Sequence, residues 1–502
     1  MSLRSTWEGI VSRFRSAQLS PTSVEQDTQQ NERPADKKSR STARPAPEKK
    51  KSGKKTPEYV AHFDNLIDIV SHGDKPAFLV KTADGIDILE GIEVDGKKFF
   101  PPPVDSIPFA VSRSTEVLDA FEKESSIPPE VADAALFNDL VRYHQRISEL
   151  PSAQHYLLLA AWDIHTYFQE QFQYSPIIAL YAVPERGKSR TGKGMINLAY
   201  RGMHVESLRE AYIIRLAEYF QASLFLDVMN PWKKAERLGV EDILLQRFER
   251  GTTVPRVLFP ERGAFKDTVY FHIFGPLIIG TNESLHRILD TRSLQINMPQ
   301  SERIFEEEVT MQSASRLRSR LLALRARHLF DELPVVPKPS RGRLGDICKP
   351  LLQIIRLVAP NHEEAFFELI RQFERQRLTD KSDSLEGKII ETIWTLRAQV
   401  DKGILPIKLI TDTLNAGKEE RYTITYQRVG RRLAALGFSK ARTGDGGSAL
   451  VWSDDVLARV RTAYGQIDSS ETSDSSGENY RSEPESVVTD DSDDSELGGL
   501  PF

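Results

Sequence analysis

Residues 175–202 read SPIIALYAVPERGKSRTGKGMINLAYRG, and no other stretch restricts the fold of this chain as much. IIALYAV is a continuous apolar run of the length expected for a strand buried on both faces. After it come Gly187, Lys188 and Ser189, and then Met195, Leu198 and Ala199 at helical spacing, with Gly202 placed to cap the helix. Strand, loop and helix in this order, with Gly-Lys-Ser at the helix start, are the parts of a phosphate-binding loop. Free N–H groups cradle phosphate oxygens, the lysine neutralises them, and the serine hydroxyl can hold Mg2+. The full pattern is G-x-x-x-x-G-K-[ST], and Ala182 stands where its first glycine belongs. Pro184 contributes no N–H, and an overlapping register over Gly187–Lys193 fails because Gly194 has no hydroxyl for a metal. Pro184, Glu185, Arg186, Gly187, Lys188, Ser189 and Arg190 are therefore the expected ATP-binding segment, with ATP and Mg2+ as the ligands.

At 502 residues, with 39% hydrophobic and 28% charged content, the chain has room for two or three domains. No apolar run approaches the ~20 residues that span a bilayer, and the first twenty residues lack the apolar centre of a secretory signal. A cytoplasmic protein without a membrane partner is expected, nucleoid-associated in a bacterium. The single cysteine, Cys348, excludes an internal disulfide framework and reads as a core residue. The net charge of -5 hides two opposed ends. Residues 1–57 carry DKKSRSTARPAPEKKKSGKK and read as a disordered basic tail with possible reach to nucleic-acid phosphate. Residues 466–502 read as a disordered acidic tail, too poor in apolar surface to offset its ordering entropy.

Between the tails the chain divides by pattern. Residues 58–130 alternate short β-rich runs with Asp-Gly pairs, the mark of hairpins in a small β-containing module. Residues 131–172 carry apolar residues three and four apart, as helices do, and their His144, His155 and His165 lack companions at metal-ligand spacing. REAYIIRLAEYF predicts a helix, and ASLFLDVMN a buried strand ending on Asp227. An acid at the C-terminal end of a strand beside a phosphate loop is where a Mg2+ carboxylate belongs, so Asp227 joins Ser189 as a metal residue. YFHIFGPLIIGTNES predicts one further strand, with Asn282 at its C-terminal edge, where open parallel sheets bind ligands. LHRILDTRSLQINMPQ adds a short helix and a strand with Arg292 exposed between them. Residues 131–301 thus form an α/β core around a parallel sheet. Residues 302–383 are a helical lid, with SRGRLGDI as a basic connector.

From Ser384 the pattern changes again. LEGKIIETIWTLRAQV, LPIKLITDTLNAG and TYQRVGRRLAALGF predict three helices, and SKARTGDGGSALVW a hairpin, so residues 384–465 read as a winged helix. In that fold the third helix enters the major groove, making Tyr426, Gln427, Arg428, Arg431 and Arg432 DNA-binding residues, with Lys440 and Arg442 on the wing.

Gly187-Lys188-Ser189, LFLD, IIGTN and ILDTRSLQI together resemble the Walker A, Walker B, sensor 1 and arginine-finger regions of AAA+ ATPases. Residues 131–350 resemble most the ATPase domains of helicase-like and primase-associated replication proteins of phage, plasmids and integrated elements. The resemblance implies a P-loop NTPase, AAA+-like fold. Lys188 and Ser189 would hold phosphates and Mg2+, Asp227 would order the metal water, and Asn282 would position the attacking water. Arg292 would reach the γ-phosphate of a neighbouring subunit, which implies a homo-oligomer such as a hexameric ring. The chain departs from the family at Val228, where a glutamate normally polarises the attacking water. Either Glu241 or Asp242 takes its place, or hydrolysis is slow and ATP acts as a switch. Arg247, Arg250 and Arg256 follow these acids and could face phosphate or DNA. The last twelve residues, DSDDSELGGLPF, resemble the tail tip of bacterial single-stranded-DNA-binding proteins, which implies DNA-processing proteins as partners.

Three functions remain open on sequence. The first is an oligomeric ATP-driven DNA motor or helicase of replication. The second is an ATP-switched DNA-binding or loading protein with little turnover. The third, a small-molecule P-loop kinase, is disfavoured by the winged helix.

Overall fold

The computed structural model describes residues 57–228 and 230–466; the basic and acidic tails and their expected partners lie outside the described residues. The chain divides into two compact units, the first ending at Gln372.

The first unit opens with seven strands: β1 (Glu58–Tyr59), β2 (Leu66–His72), β3 (Lys75–Thr82), β4 (Gly85–Leu89), β5 (Ile92–Val94), β6 (Lys97–Phe100) and β7 (Ser112–Arg113). They form two small sheets, ordered β1-β6-β5 and β4-β3-β2-β7. Asp95 and Gly96, between β5 and β6, both have positive φ, 50° and 73°. A two-residue turn with φ > 0 at both positions matches the right-handed twist of the strands it joins. Phe63, Leu66, Ile69, Phe78, Val80 and Phe99 form the core of this region.

Five parallel strands make the central sheet: β8 (Ile177–Tyr181), β9 (Met203–Val205), β10 (Leu224–Asp227), β13 (Leu277–Thr281) and β14 (Ser293–Asn297). Their order is β14-β8-β13-β10-β9, which sets β13 between the strand before the 182–187 loop and the strand ending on Asp227. The molecule is thus a mixed α/β protein with a parallel sheet. Ile177, Ile178, Phe225, Ile278, Ile279 and Leu294 are buried, as strands covered on both faces require.

Helix Met311–His328 ties the early β-rich region to this core through its arginines. Arg325 donates to the carbonyls of Ile67, Leu66 and Tyr167, and Arg327 bridges Glu124 and Asp133 at 2.7 Å each. Arg201, fully buried, pairs with Asp68 at 2.8 Å.

Several local expectations are corrected. YFHIFGPLIIGTNES is two strands, β12 (Thr268–His272) and β13, interrupted at Gly275 and Pro276, because proline lacks the ladder N–H and Gly275 sits at φ 157°. β12 pairs instead with β11 (Thr253–Val257) in an antiparallel hairpin. The helix that begins at Lys188 ends at Leu198, not Gly202. Gly202 is packed so tightly that a Cβ there would stand 1.9 Å from the Ile196 carbonyl oxygen. SRGRLGDI is no connector from Gly342 onward, since helix Gly342–Val358 begins there.

The second unit holds helices Leu385–Thr395, Ile407–Asn415, Tyr426–Ala435 and Asp454–Ala463, the last not foreseen in the sequence. An antiparallel sheet accompanies them, ordered β15 (Ile404–Pro406), β17 (Ser448–Val451), β16 (Lys440–Arg442). Ile389, Ile393, Leu405, Ile410, Val429, Leu433, Phe438, Leu450 and Leu457 fill its core.

Candidate nucleotide site

β8 ends at Tyr181, and the chain turns through Ala182 to Gly187 before helix Lys188–Leu198 begins. Ala182, directly after β8, is buried, its N–H donates to the Thr281 carbonyl at 3.2 Å, and its φ is not positive, so the position of the first glycine makes no backbone demand that a methyl group would violate. The backbone demand falls on Glu185 (φ 66°) and Gly187 (φ 79°). Gly187 is the residue before the helix, and no side chain caps the helix N-terminus. Its first N–H groups therefore have no side-chain acceptor, the condition under which a helix start can receive an anion.

Lys188 is buried, and its Nζ donates to the carbonyls of Ala182 and Val183 at 2.8 and 3.0 Å. Burial lowers its pKa, and the Asp227 carboxylate opposes that shift, which brings Lys188 and Asp227 into one electrostatic site. Gly280, beside Asp227 in the β10–β13 register, leaves room for the carboxylate: a Cβ there would lie 3.2 Å from Asp227 Oδ1. On the other side His204 Nε2 lies 4.0 Å from Asp227 Oδ2, its ring stacked on Phe225.

Asn282 is exposed one residue beyond β13. Thr281 fixes the turn there, its hydroxyl donating to the Glu283 carbonyl and accepting from the Glu283 N–H. Lys188, Asp227 and Asn282 thus follow or end the neighbouring parallel strands β8, β10 and β13 at the same edge of the sheet. Ser189, Pro184 and Glu185 are exposed there, and Arg186 is half-buried. Arg190 is engaged elsewhere: its guanidinium donates to the carbonyls of Ile147 and Glu307 and lies over the Phe305 ring.

Arg292 lies at the opposite edge. Its carbonyl accepts from the N–H of Ile177, the first residue of β8, at 3.3 Å, so about 13 Å of strand separates it from the 182–187 loop of its own chain. It is half-buried rather than exposed, stacked over Phe248 with Arg343 over the same ring. Burial and the Arg343 charge both lower its pKa.

Arg247, Arg250 and Arg256 do not form a phosphate or DNA surface. Arg247 is fully buried and donates to the carbonyls of Ile273, Ala222 and Pro276. Arg250 donates to Phe172 and Gln169 carbonyls, and Arg256 pairs with Glu210 and Asp242, which occupies Asp242.

Sequence reasoning missed the tip of the β11–β12 hairpin. Phe265 is fully exposed at φ 73°, Val257, Leu258 and Tyr270 are exposed, and Arg262 stacks on Phe259 at 3.9 Å, with Lys266 beside them. The available signal was LFPERGAFKD, aromatic and basic residues around a turn between two β-rich runs.

In the second unit Tyr426, Gln427, Arg428 and Arg431 are exposed on helix Tyr426–Ala435, and Lys440 and Arg442 on β16. Arg432 is paired with Glu386 at 3.0 Å. The buried histidines serve packing: His144 Nε2 meets Asp163 at 2.6 Å and His165 Nε2 meets Ser175 at 2.9 Å. Among the described residues no cluster of three or more His, Cys, Asp or Glu side chains is arranged to hold a metal ion, and no helix is long and apolar enough to cross a membrane.

No family model and no curated protein matches the chain. Among solved structures it is similar to the apo A form of the NrS-1 C-terminal region, at 12% identity and TM-score 0.33 over 77% of this chain and 96% of that one. It is also similar to inhibitor-bound JCV helicase, at 13% identity and TM-score 0.24 over 57% of this chain and 70% of that one.

Proposed function

We propose that the chain binds Mg·ATP on the 182–190 loop and works as an oligomeric, AAA+-like DNA-dependent ATPase, a helicase-like motor of DNA replication in a phage or mobile element. The observation that carries this reading is the convergence of Lys188, Asp227 and Asn282 on one edge of a parallel sheet in which β13 separates β8 from β10. Lys188 and the uncapped helix start bind and orient the triphosphate. Ser189 and Asp227 would hold Mg2+, which when bound bridges phosphate oxygens and neutralises charge. Two such protein oxygens leave most of an octahedral Mg2+ shell to the nucleotide's phosphates and to water.

Arg292 cannot serve its own phosphate loop across the sheet, which supports a neighbouring subunit as its target. The exposed Phe265, Arg262 and Lys266 offer a stacking and cationic surface of the kind that tracks single-stranded DNA. In the second unit, helices Leu385–Thr395, Ile407–Asn415 and Tyr426–Ala435 with the β16–β17 hairpin support a winged helix presenting Arg428 and Arg431 to duplex DNA.

Val228 favours one second reading, an ATP-switched DNA-binding or loading protein with little turnover. Purified full-length protein assayed for ATP hydrolysis with and without single-stranded and duplex DNA separates the two. DNA-stimulated turnover that falls with Phe265→Ala supports the motor. Tight Mg·ATP binding without turnover supports the switch, and phosphoryl transfer to a small metabolite contradicts both.

A further inference from the structure

Phe248 holds two guanidiniums on one ring, that of Arg292 at 4.8 Å and that of Arg343 at 5.6 Å from its centroid. Both are fastened by one short stretch of chain. Arg292 Nη1 donates to the Ile288 carbonyl at 2.8 Å, and Arg343 Nη1 donates to the Thr291 hydroxyl at 3.0 Å. Like charges placed side by side disfavour each other, and partial burial adds to the cost. Arg292 shows both effects, its pKa lowered first by burial and then by the Arg343 charge. Glu249 opposes them, yet among the described residues neither guanidinium forms an ion pair with a carboxylate. Arg292 Nε is buried with no acceptor.

Phe305 shows the same arrangement where it serves folding. Arg190 and Arg303 lie over its ring at 5.5 and 4.8 Å, but Arg303 pairs with Glu149 at 3.4 Å and Arg190 donates to the carbonyls of Ile147 and Glu307. The Phe248 pair has no such neutralisation. Arg343 is exposed in the first turn of helix Gly342–Val358, where the helix dipole favours an acid, and Asp346 in the next turn is already paired with Lys338 at 2.6 Å. Two forked donors held together without a carboxylate suit an anion that presents several oxygens, as a phosphate does. Arg343 reaches Thr291, directly before Arg292, so the pair belongs to the sheet edge opposite Lys188.

We propose that Arg343 acts with Arg292 as a two-arginine clamp on the terminal phosphate of an ATP held by a second copy of this chain. This rests on the nucleotide reading above. In hydrolysis the water oxygen forms a bond to the γ-phosphorus while the bond from that phosphorus to the β–γ bridging oxygen breaks. ADP leaves with the electron pair, and the water's proton ends on the inorganic phosphate. Negative charge moves onto the bridging and γ-phosphoryl oxygens, and two guanidinium forks neutralise it. Each copy thus supplies both arginines to its neighbour's nucleotide and neither to its own.

The test follows Mg·ATP affinity, hydrolysis rate and melting temperature of full-length variants, alone and mixed. Arg343→Ala should bind Mg·ATP and melt as wild type does while losing roughly a hundredfold in kcat. Arg343→Lys, a cation without the fork, should regain only part of the rate. Arg343→Gln, which keeps a donor for Thr291 but no charge, should be as slow as Arg343→Ala. Mixed with Lys188→Ala, Arg343→Ala should regain activity, because the Lys188→Ala copies bring both arginines to copies that bind ATP. Mixed with Arg292→Ala it should stay inactive, because no copy then carries the pair. Rescue by Arg292→Ala would place Arg343 at its own nucleotide, and no rescue by Lys188→Ala would deny a site shared between copies; either overturns the proposal, as does wild-type turnover in Arg343→Ala. If wild type binds Mg·ATP without turnover, sedimentation decides. A non-hydrolysable ATP analogue with Mg2+ should then strengthen self-association of wild type roughly tenfold more than that of Arg343→Ala. Equal strengthening overturns the proposal and leaves the nucleotide reading standing, whereas failure of wild type to bind Mg·ATP overturns both.

Discussion

Gly192 lies against the ring of Phe225, so close that a Cβ on the glycine would stand 2.2 Å from Phe225 Cζ. Helix Lys188–Leu198 therefore rides directly on the strand that ends in Asp227, and two residues later Gly194 is pressed in the same way against Ile147. The glycines of SRTGKGM serve close packing, while Gly187 serves backbone conformation. Gly192→Ala should destabilise the protein by about 1–3 kcal/mol through overpacking and weaken nucleotide binding by displacing the helix start. Thermal melts and Mg·ATP titration of the variant check both effects.

The placement of Arg292 across the sheet from the 182–187 loop of its own chain makes a complementation test of the proposed shared site decisive. Lys188→Ala and Arg292→Ala proteins should each be inactive alone, the first unable to bind ATP and the second able to bind without turnover. Mixed, they should regain part of the wild-type ATPase rate, because some interfaces pair an intact Lys188 with an intact Arg292. Full activity of Arg292→Ala alone would rule out the shared site.

Acid should destabilise the first unit. Burial pushes His155 down to about 4, and burial with the Arg250 charge pushes His165 down to about 3. Both are neutral in the fold, whereas the unfolded chain protonates them near the ordinary 6.5. Their contribution is complete above that value and is lost as pH falls toward 4 and then 3, at up to about 1.4 kcal/mol per pH unit for each. His328 works in the opposite sense. Burial alone would lower its pKa, but hydrogen bonds to Asp133 and Asp331 outweigh burial and raise it, so its contribution is kept in acid and lost as pH rises through the raised value. Melting temperatures from pH 7 to 4 should fall for wild type and fall less for His155→Gln.

In the second unit the exposed and the paired arginines should behave differently toward DNA. Arg428→Ala and Arg431→Ala should weaken duplex binding and each reduce the salt slope by about one, as loss of a phosphate contact does. Arg432→Ala, which removes the Arg432–Glu386 ion pair, should change melting more than DNA affinity. Fluorescence anisotropy at several salt concentrations, alongside thermal melts, distinguishes them.

The central strands of the parallel sheet, β8, β10 and β13, were legible because each is an unbroken apolar run, as strands covered on both faces require, whereas the edge strand β9, Met-His-Val, is too short and mixed to announce itself. Asp227 and Asn282 could be picked out because each follows such a run directly. What pairs with what was not legible. Gly275 and Pro276 split one apolar run into strands of two different sheets, and only long-range pairing decides that. Arg247 reads in sequence as part of a solvated basic face, yet it satisfies three carbonyls at the base of the sheet, because their desolvation demands a donor with a wide fork.

The account depends on the turn at Gly187 receiving a triphosphate although alanine stands at the first glycine position. Isothermal titration of folded full-length protein with a non-hydrolysable ATP analogue and Mg2+ tests this directly. The account predicts saturable binding that disappears in Lys188→Ala while its melting temperature without nucleotide is kept. Absence of heat and of thermal protection in the wild type, or equal affinity in Lys188→Ala, would contradict it.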